Sequence, residues 1–195
     1  PTVTRTADIA VAGSEPWQVV IGNDDDTAYV TLRADGEVVR INTLHATPTL
    51  ATGRATVGSE PTGIAISPLG TAIYAANWGE GTVTEINAAT MAVTRTIDLN
   101  DALVDTGALG TVTARPALAH PRGIAVTNNG DTDESDETVY VTEFFGVNRT
   151  DTAAIPVDDS RFDVARQGIV YRFSFEGVVE GTTSLAPVAS TGFPD

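Results

Sequence analysis

The chain has 195 residues and a mass of 20.3 kDa, which is enough for one domain that buries about 70% of its unfolded surface. It contains no cysteine, so disulfides, iron–sulfur clusters, cysteine-bound zinc, CxxCH haem attachment and thiol nucleophiles are excluded within these residues. Its formal charge of −15, from 26 acidic residues and 11 basic residues that are all arginine, argues against nucleic acid and anionic membrane surfaces as partners, because both need clustered positive charge.

The first predicted element, in residues 1–13, is the last strand of a preceding unit, because residues 3–6 repeat the sequence Val-Thr-Arg-Thr of residues 93–96. A complete unit follows in residues 14–58. It holds short runs rich in Val, Ile, Thr and Tyr, bounded by Gly, Asn, Asp or Pro, a pattern typical of strands joined by turns. The runs that recur later in the chain are 14–21, 27–31 and 36–42.

Residues 59–98 repeat this unit with the same spacing. Pro16 and Pro61 lie 45 residues apart, and 13 residues separate the proline from the tyrosine of the second strand in both units. The recurring runs are 59–66, 72–76 and 81–87. Residues 99–118 have no counterpart in the first unit, and we expect a solvated insertion there.

Residues 119–191 form the third unit. The recurring runs are 119–126, 138–142 and 168–174. The largest departure from the repeat is an insertion at 144–167, which holds several apolar side chains, three of them phenylalanine. Loops of this length in compact domains are usually functional or disordered, and we favour an ordered lid or partner-docking loop. Residues 192–195 match the start of a next unit.

Four antiparallel strands in about 45 residues, repeated along the chain, predict an all-β fold, the β-propeller, with each unit forming one blade. A β-sandwich is the alternative, but a sandwich has no reason to repeat its sequence at a fixed period. Known propellers have four to eight blades, and about three are present here. We therefore expect a partial propeller or a segment of a larger one, with remaining blades supplied by other sequence or by another chain. Edge-to-edge self-association is the runner-up, because open sheet edges invite pairing.

Three blocks of the second unit resemble the YVTN-type propeller repeats of bacterial and archaeal surface and periplasmic proteins. They are Pro61-Thr62-Gly63-Ile64-Ala65-Ile66-Ser67, Tyr74-Ala75-Ala76-Asn77 and Gly81-Thr82-Val83-Thr84-Glu85-Ile86-Asn87. Units one and three depart from the pattern at its fourth position, where Leu32 and Glu143 stand in place of Asn. The resemblance implies an exported protein in an extracellular, periplasmic or cell-surface location. It implies no single activity, because such propellers serve as surface-layer modules, sugar-lactone hydrolases and electron-transfer or haem-associated domains.

In a propeller, the connection entering each first strand and the loop between the second and third strands lie at one end, around the mouth of the central channel. This end receives aromatic and arginine side chains, which dominate partner recognition. The predicted binding residues are Trp17, Arg33, Trp78, His120, Arg122, Phe144 and Phe145. Alternatively, Trp17 and Trp78 fill gaps between blades. His120, near Glu143, has the chemistry of a general base or haem ligand, but no nucleophile stands at a telling spacing, so we predict no catalytic residue.

The opposite end receives two acidic loops, residues 24–26 and 128–137, so we expect carboxylates to gather largely there. In the second loop, Asp131, Asp133 and Asp136 alternate in a way similar to calcium loops. The sixth-position Gly and twelfth-position Glu of an EF-hand are missing, and a solvated hairpin tip is the alternative. We therefore expect no cofactor, with calcium at this loop as the runner-up.

No apolar stretch approaches the roughly 18 residues that span a bilayer, and the chain opens on Pro1 without a charged and an apolar leader region. We therefore expect a soluble chain without membrane insertion, its export signal removed. The leading hypothesis is a noncatalytic binding or scaffolding module that recognises a protein, glycan or companion domain through the channel mouth. The competing class is a redox or lactone-hydrolysing enzyme in which these blades supply part of a pocket.

Overall fold

The computed structural model describes residues 7–11, 15–110, 118–149 and 166–187, and these form thirteen strands and one short helix. The elements in chain order are β1 (Pro16–Ile21), β2 (Ala28–Leu32), β3 (Glu37–Asn42), β4 (Thr49–Thr56), β5 (Pro61–Ile66), β6 (Ala72–Asn77), β7 (Thr82–Asn87), β8 (Val93–Asp98), α1 (Asn100–Asp105), β9 (Pro121–Val126), β10 (Thr138–Glu143), β11 (Val147–Asn148), β12 (Arg166–Ser174) and β13 (Val179–Leu185).

The strands form three antiparallel sheets, each with the order of a propeller blade. Blade 1 is β1-β2-β3-β4, blade 2 is β5-β6-β7-β8, and blade 3 is β9-β10-β12-β13. The short strand β11 adds to blade 3 by pairing with the beginning of β12, where Val147 faces Gln167. The all-β, blade-like prediction is therefore confirmed, with every pairing between chain neighbours or across one insertion.

The hydrophobic core lies between the blades. Strand β5 lies between β1 and β9, so the first strands of the three blades are neighbours. Because side chains alternate across a strand, each sheet sends one row of apolar residues toward the next blade. One cluster joins blades 1 and 2 and includes Tyr29, Val38, Ile64, Ile73 and Ile86. A second joins blades 2 and 3 and includes Tyr74, Val83, Leu99, Val139, Tyr171 and Phe173.

The tyrosine of each second strand marks this blade-to-blade packing. Tyr29 is 5% exposed and Tyr74 is 0% exposed, and both point into the cluster formed with the following blade. Tyr140, at the same repeat position in blade 3, is 40% exposed. The three tyrosines therefore occupy one register position in three sheets, and the third lies on a face that no described blade covers.

The insertion between blades 2 and 3 differs from its prediction. Residues 100–105 form α1, and Leu99, Leu103 and Ala108 are buried in the second cluster. The spacing of Leu99 and Leu103 places both on one side of a helical turn, so this part of the insertion covers the core. The prediction of a solvated excursion is wrong at Leu99, Leu103 and Ala108. By contrast, Asp101, Val104 and Asp105 are exposed. Residues 111–117 lie outside the described part of the chain.

Several sequence predictions fall at the margins of the described residues. Strand β12 begins at Arg166, two residues inside the predicted insertion of blade 3. The stretch 7–11 contains no strand. The matches at 3–6 and 192–195 and most of the insertion, residues 150–165, lie outside the described residues. Within the described ranges, no helix has the length and apolar character of a membrane span.

Candidate functional site

The same backbone hydrogen bond shapes the mouth end of all three blades. In each blade, the residue after the second strand donates its N–H to the carbonyl of the residue before the proline of the first strand. These bonds run from Arg33 to Glu15 (2.8 Å), from Trp78 to Glu60 (3.0 Å) and from Phe144 to His120 (3.0 Å). The repeat therefore fixes the backbone, while the side chains at these positions differ from blade to blade.

Two of the predicted arginines lie against aromatic rings. The guanidinium carbon of Arg33 lies 5.1 Å from the centroid of Trp17. That of Arg122 lies 5.9 Å from the same ring and 4.9 Å from the ring of Phe144. These distances fall within the range of cation–π attraction. Blade 1 and blade 3 thus meet through their side chains above blade 2.

The other predicted residues continue this cluster on the blade 3 side. Ring centroids of Trp78 and His120 are 4.7 Å apart, and Phe145 lies 5.0 Å from His120 and 4.8 Å from Phe144. Trp78 is half-buried beneath these rings, whereas Phe145 is exposed. All seven residues that the sequence predicted for binding therefore lie in one group, which we call the mouth cluster: Trp17, Arg33, Trp78, His120, Arg122, Phe144 and Phe145.

A small cleft opens in the mouth cluster because of the residue that follows the proline in each blade. That residue is Trp17 in blade 1, Thr62 in blade 2 and Arg122 in blade 3. The short, buried Thr62 leaves space between two long side chains, and its hydroxyl donates to the Pro121 carbonyl at 3.3 Å. The cleft has a volume of about 160 Å³. It is lined by Trp17, Arg33, Glu60, Thr62, Trp78, Arg122 and Phe144.

The two arginines of the cleft differ in their charge partners. Arg33 forms ion pairs with Glu15 at 3.4 Å and with Glu60 at 3.1 Å. Arg122 has no carboxylate partner among the residues that the structure describes. The distinction arises because Glu15 and Glu60 precede the prolines of blades 1 and 2, whereas His120 takes that position in blade 3.

The mouth also carries more carboxylates than the sequence predicted. A groove of about 580 Å³ adjoins the cleft and is lined in part by Glu15, Asp35, Glu60 and Glu80. Carboxylates therefore lie at this end too, in addition to those of the two acidic loops at the opposite end. Sequence reasoning missed Glu15, Glu60 and Thr62. Their positions beside the repeat prolines were the available signal.

The pair His120 and Glu143 anchors the backbone at the mouth. The Glu143 side chain is only 1% exposed. It accepts hydrogen bonds from the His120 backbone N–H at 2.9 Å and from the Tyr171 hydroxyl at 2.6 Å, while the His120 ring Nδ1 lies 3.8 Å away. Burial and the Glu143 carboxylate raise the pKa of Tyr171, so its hydroxyl stays a protonated donor. Glu143 thus joins strands β9, β10 and β12, a structural role.

The aspartates of the acidic loop at the opposite end accept hydrogen bonds from within that loop. Asp131 and Asp136 both accept hydrogen bonds from the amide of Asn129, at 3.1 and 3.0 Å. Asp133 accepts from the backbone and hydroxyl of Ser135, at 2.9 and 2.7 Å, which lowers its pKa. Across the described ranges, no three His, Asp or Glu side chains are grouped so as to hold a metal ion. The carboxylates predicted as calcium ligands bind donors of their own loop, and calcium binding by them stays a prediction.

A neighbouring glutamate of the same loop ties blade 3 to blade 2. Glu134 accepts a hydrogen bond from the Leu69 N–H at 2.6 Å and another from the Thr71 hydroxyl. His45, the other histidine of the chain, is exposed at this end and lies 3.4 Å from Asp25. The described polar groups of this end therefore serve loop structure and blade-to-blade contact.

Comparisons with known proteins identify the fold. No protein-family model matches the sequence, and no curated protein sequence matches it. The chain is similar to the solved structure of RRP9 WD40 repeats, with a TM-score of 0.54, 12% identity and coverage of 91% of this chain and 40% of that one. For U3-55K the TM-score is 0.53, the identity 12% and the coverage 89% and 40%. For Kuenenia stuttgartiensis hydrazine synthase the TM-score is 0.51 and the identity 14%, with coverage of 95% of this chain and 53% of that one.

These similarities concern the fold alone, because the identities are low. The chain spans 40% to 53% of the length of these three solved chains, and its sheets correspond to part of each. The neighbours include an enzyme and WD40 repeat proteins, so the fold is shared by unlike functions. The chain is structurally similar to β-propeller proteins.

Proposed function

We propose that this chain is a noncatalytic binding or scaffolding module of an exported protein, which recognises a protein, glycan or companion domain through the mouth cluster. The observation that carries the proposal is the exposure of large aromatic side chains beside an arginine. Trp17 is 48% exposed and Phe144 is 47% exposed, although burying such side chains is strongly favourable. Tryptophan and arginine contribute most to binding at protein interfaces, and a contiguous exposed patch of this kind marks an interaction site.

We also propose that the repeats are of the YVTN type. The structure supplies a physical reason for the asparagine that ends the Tyr-Ala-Ala-Asn block of blade 2. Asn77 is buried and donates to the hydroxyls of Thr82 at 2.9 Å and Thr84 at 2.8 Å, so it links β6 to β7 where the turn begins. This family assignment supports an extracellular, periplasmic or cell-surface location as part of the proposal.

The first test replaces Trp17 by alanine. Glycan arrays are probed with the chain, and exported proteins of its source are captured on the immobilised chain. The affinities of the ligands found are measured by surface plasmon resonance. We expect Trp17→Ala to weaken binding by about 2 kcal/mol or more, roughly thirtyfold, because a central tryptophan is a typical hot spot. The melting temperature should stay unchanged, because the ring is half exposed.

Leu69→Ala is the matched control, because Leu69 is 45% exposed and lies in the turn between β5 and β6, away from the mouth. It should change neither affinity nor melting temperature. A captured ligand that binds Trp17→Ala as tightly as the unchanged chain would contradict the proposal, and a large drop in melting temperature would identify Trp17 as a packing residue.

A second surface favours a scaffolding role toward a further blade. In blade 1, Tyr29 and Arg40 are cross-strand partners, and together they hold the turn after β7 in blade 2. The Tyr29 hydroxyl donates to the Ala88 carbonyl at 3.1 Å, and Arg40 donates to the Ala88 and Ala89 carbonyls at 3.3 and 2.9 Å. This pair of donors recognises the backbone of the next blade.

Blade 3 repeats that pair of donors on its uncovered face. Tyr140 and Arg172 are cross-strand partners in the same register, and both are exposed, with Arg172 near Glu180 at 3.5 Å. We propose that this face receives a further four-stranded blade, supplied by other sequence or by another chain, whose turn carbonyls meet Tyr140 and Arg172 as Ala88 meets Tyr29.

Hydroxyl-radical footprinting of the protein isolated from its source tests this proposal. We expect Tyr140 to be protected to the level of Tyr29 and Tyr74, while it is readily oxidised in the 195-residue chain alone. Sedimentation equilibrium then distinguishes a blade of the same polypeptide from one of another chain. Oxidation of Tyr140 at the same rate in both samples would contradict a docked blade.

A further inference from the structure

We propose that Arg122 binds a carboxylate of a protein partner, an Asp or Glu side chain that enters the cleft between Trp17 and Phe144. The inference rests on the proposed function of the mouth cluster and names the chemistry that it recognises. Two features carry it: an arginine held in place without an anionic partner among the described residues, and a cleft sized for one side chain.

Arg122 is positioned from both its backbone and its side chain. Its carbonyl oxygen packs directly against Gly63, where a Cβ atom would overlap it. Its guanidinium lies beside the rings of Trp17 and Phe144, at 5.9 and 4.9 Å from their centroids. Within the described part of the chain, no acceptor takes a hydrogen bond from the guanidinium N–H groups of Arg122. A pre-positioned guanidinium loses little freedom when it binds a carboxylate through two parallel hydrogen bonds.

Arg33 shows the difference that the missing anion makes. Glu15 and Glu60 neutralise Arg33 within the chain, at 3.4 and 3.1 Å. For Arg122, the described residues supply rings but no carboxylate. In a chain with a formal charge of −15, an arginine that no described carboxylate neutralises, at the edge of a cleft, points to an anion that comes from the ligand.

The size of the cleft favours a side chain over a larger ligand. Its volume of about 160 Å³ is below the ≈300–1,000 Å³ of typical small-molecule sites. A sugar would need an open aromatic face, but two guanidinium groups already lie within cation–π distance of the Trp17 ring. Asp and Glu side chains place a carboxylate at the end of a short stem, which suits a cleft floored by Thr62.

The surrounding charge limits the partner further. Glu60, paired with Arg33, lines both the cleft and the adjoining groove, which also carries Glu15 and Glu80. These carboxylates repel a second acid near the first. A single Asp or Glu within a neutral or basic stretch of a protein satisfies Arg122 without this repulsion. Polyanions such as nucleic acid or an acidic polysaccharide would bring several negative charges close to the carboxylates of the groove.

The test selects short phage-displayed peptides on the immobilised 195-residue chain and measures their affinities by calorimetry. We expect selected peptides to share one Asp or Glu, whose replacement by Asn or Gln weakens binding about tenfold or more, the range for hydrogen bonds between charged groups. On Arg122→Gln, the acid and amide peptides should bind equally. Arg54→Gln is the control, because it removes an arginine that pairs with Glu37 at 2.7 Å, outside the mouth cluster.

Thr62→Trp provides a second variant, which fills the cleft while Arg122 remains, and it should abolish binding of the same peptides. Peptides that need Trp17 but bind equally well with the amide would overturn the carboxylate inference and leave the proposed function standing. If no selected peptide depends on Trp17 or Arg122, both proposals fail.

Discussion

Replacement of Tyr74 by alanine is expected to lower the free energy of unfolding of the 195-residue chain by about 3–5 kcal/mol, the range for removing a large aromatic side chain from a core. Tyr74 is 0% exposed, and its ring packs edge-on against Phe173 at 6.0 Å and Phe175 at 6.4 Å. Both partners belong to blade 3, so the variant removes the central contact between two blades. Urea unfolding, followed by circular dichroism, measures the change.

The repeat supplies the matched control, because Tyr140 occupies the same position in blade 3. It is 40% exposed, and Tyr140→Ala should cost about 0.5 kcal/mol or less, as exposed substitutions generally do. Equal losses from the two variants would contradict the blade-to-blade packing described above. Tyr74→Phe separates the ring from its hydroxyl. That hydroxyl is buried and makes no hydrogen bond with any described residue, so the phenylalanine variant should be as stable as the unchanged chain or more so.

The repeat explains why so much of the fold and of the mouth could be predicted from sequence. Equivalent positions in successive units have equivalent backbones, as the bonds made by Arg33, Trp78 and Phe144 show. Once the mouth residues of one blade are assigned, the equivalent residues of the other two blades are therefore assigned to the same end. The direction of Tyr29 and Tyr74 follows from the same register, because strand alternation fixes which residues face the next blade.

The features that escaped prediction depend on contacts between units that the repeat does not encode. The ion pair of Arg33 with Glu60 joins blade 1 to blade 2, and its existence depends on the distance between blades. Helix α1 has no counterpart in other units, although the spacing of Leu99 and Leu103 was a usable signal. In the acidic loop, the Asn129 side-chain amide donates hydrogen bonds to Asp131 and Asp136. The spacing of these two aspartates in the sequence suggests calcium ligands.

Gly63→Ala is the second substitution with a large expected effect, because Gly63 sets the distance between β5 and β9. A Cβ atom there would overlap the Arg122 carbonyl oxygen and approach the Ala76 Cβ to 3.1 Å. The first obstacle is backbone, so a side-chain rotation cannot relieve it and β9 has to move. We expect a loss of about 1–3 kcal/mol in the free energy of unfolding, as for other overpacked cores.

The same substitution should disturb the mouth cluster, because the segment that moves carries Arg122 and the Pro121 carbonyl that accepts the Thr62 hydroxyl. The two tryptophans of the chain, Trp17 and Trp78, both belong to this cluster, so intrinsic fluorescence reports on it directly. We expect a shifted emission maximum in Gly63→Ala together with weaker binding of any ligand that depends on Arg122.

Gly168→Ala is the matched control, since it adds the same methyl group to another strand glycine where the nearest atom, the Leu185 Cβ, lies at 3.7 Å. That distance is ordinary van der Waals contact, so stability and fluorescence should both remain unchanged. If Gly63→Ala behaves like Gly168→Ala, the close approach of β5 and β9 is not what holds Arg122 in place. If only Gly63→Ala alters fluorescence, the packing of these two inner strands sets the geometry of the mouth cluster.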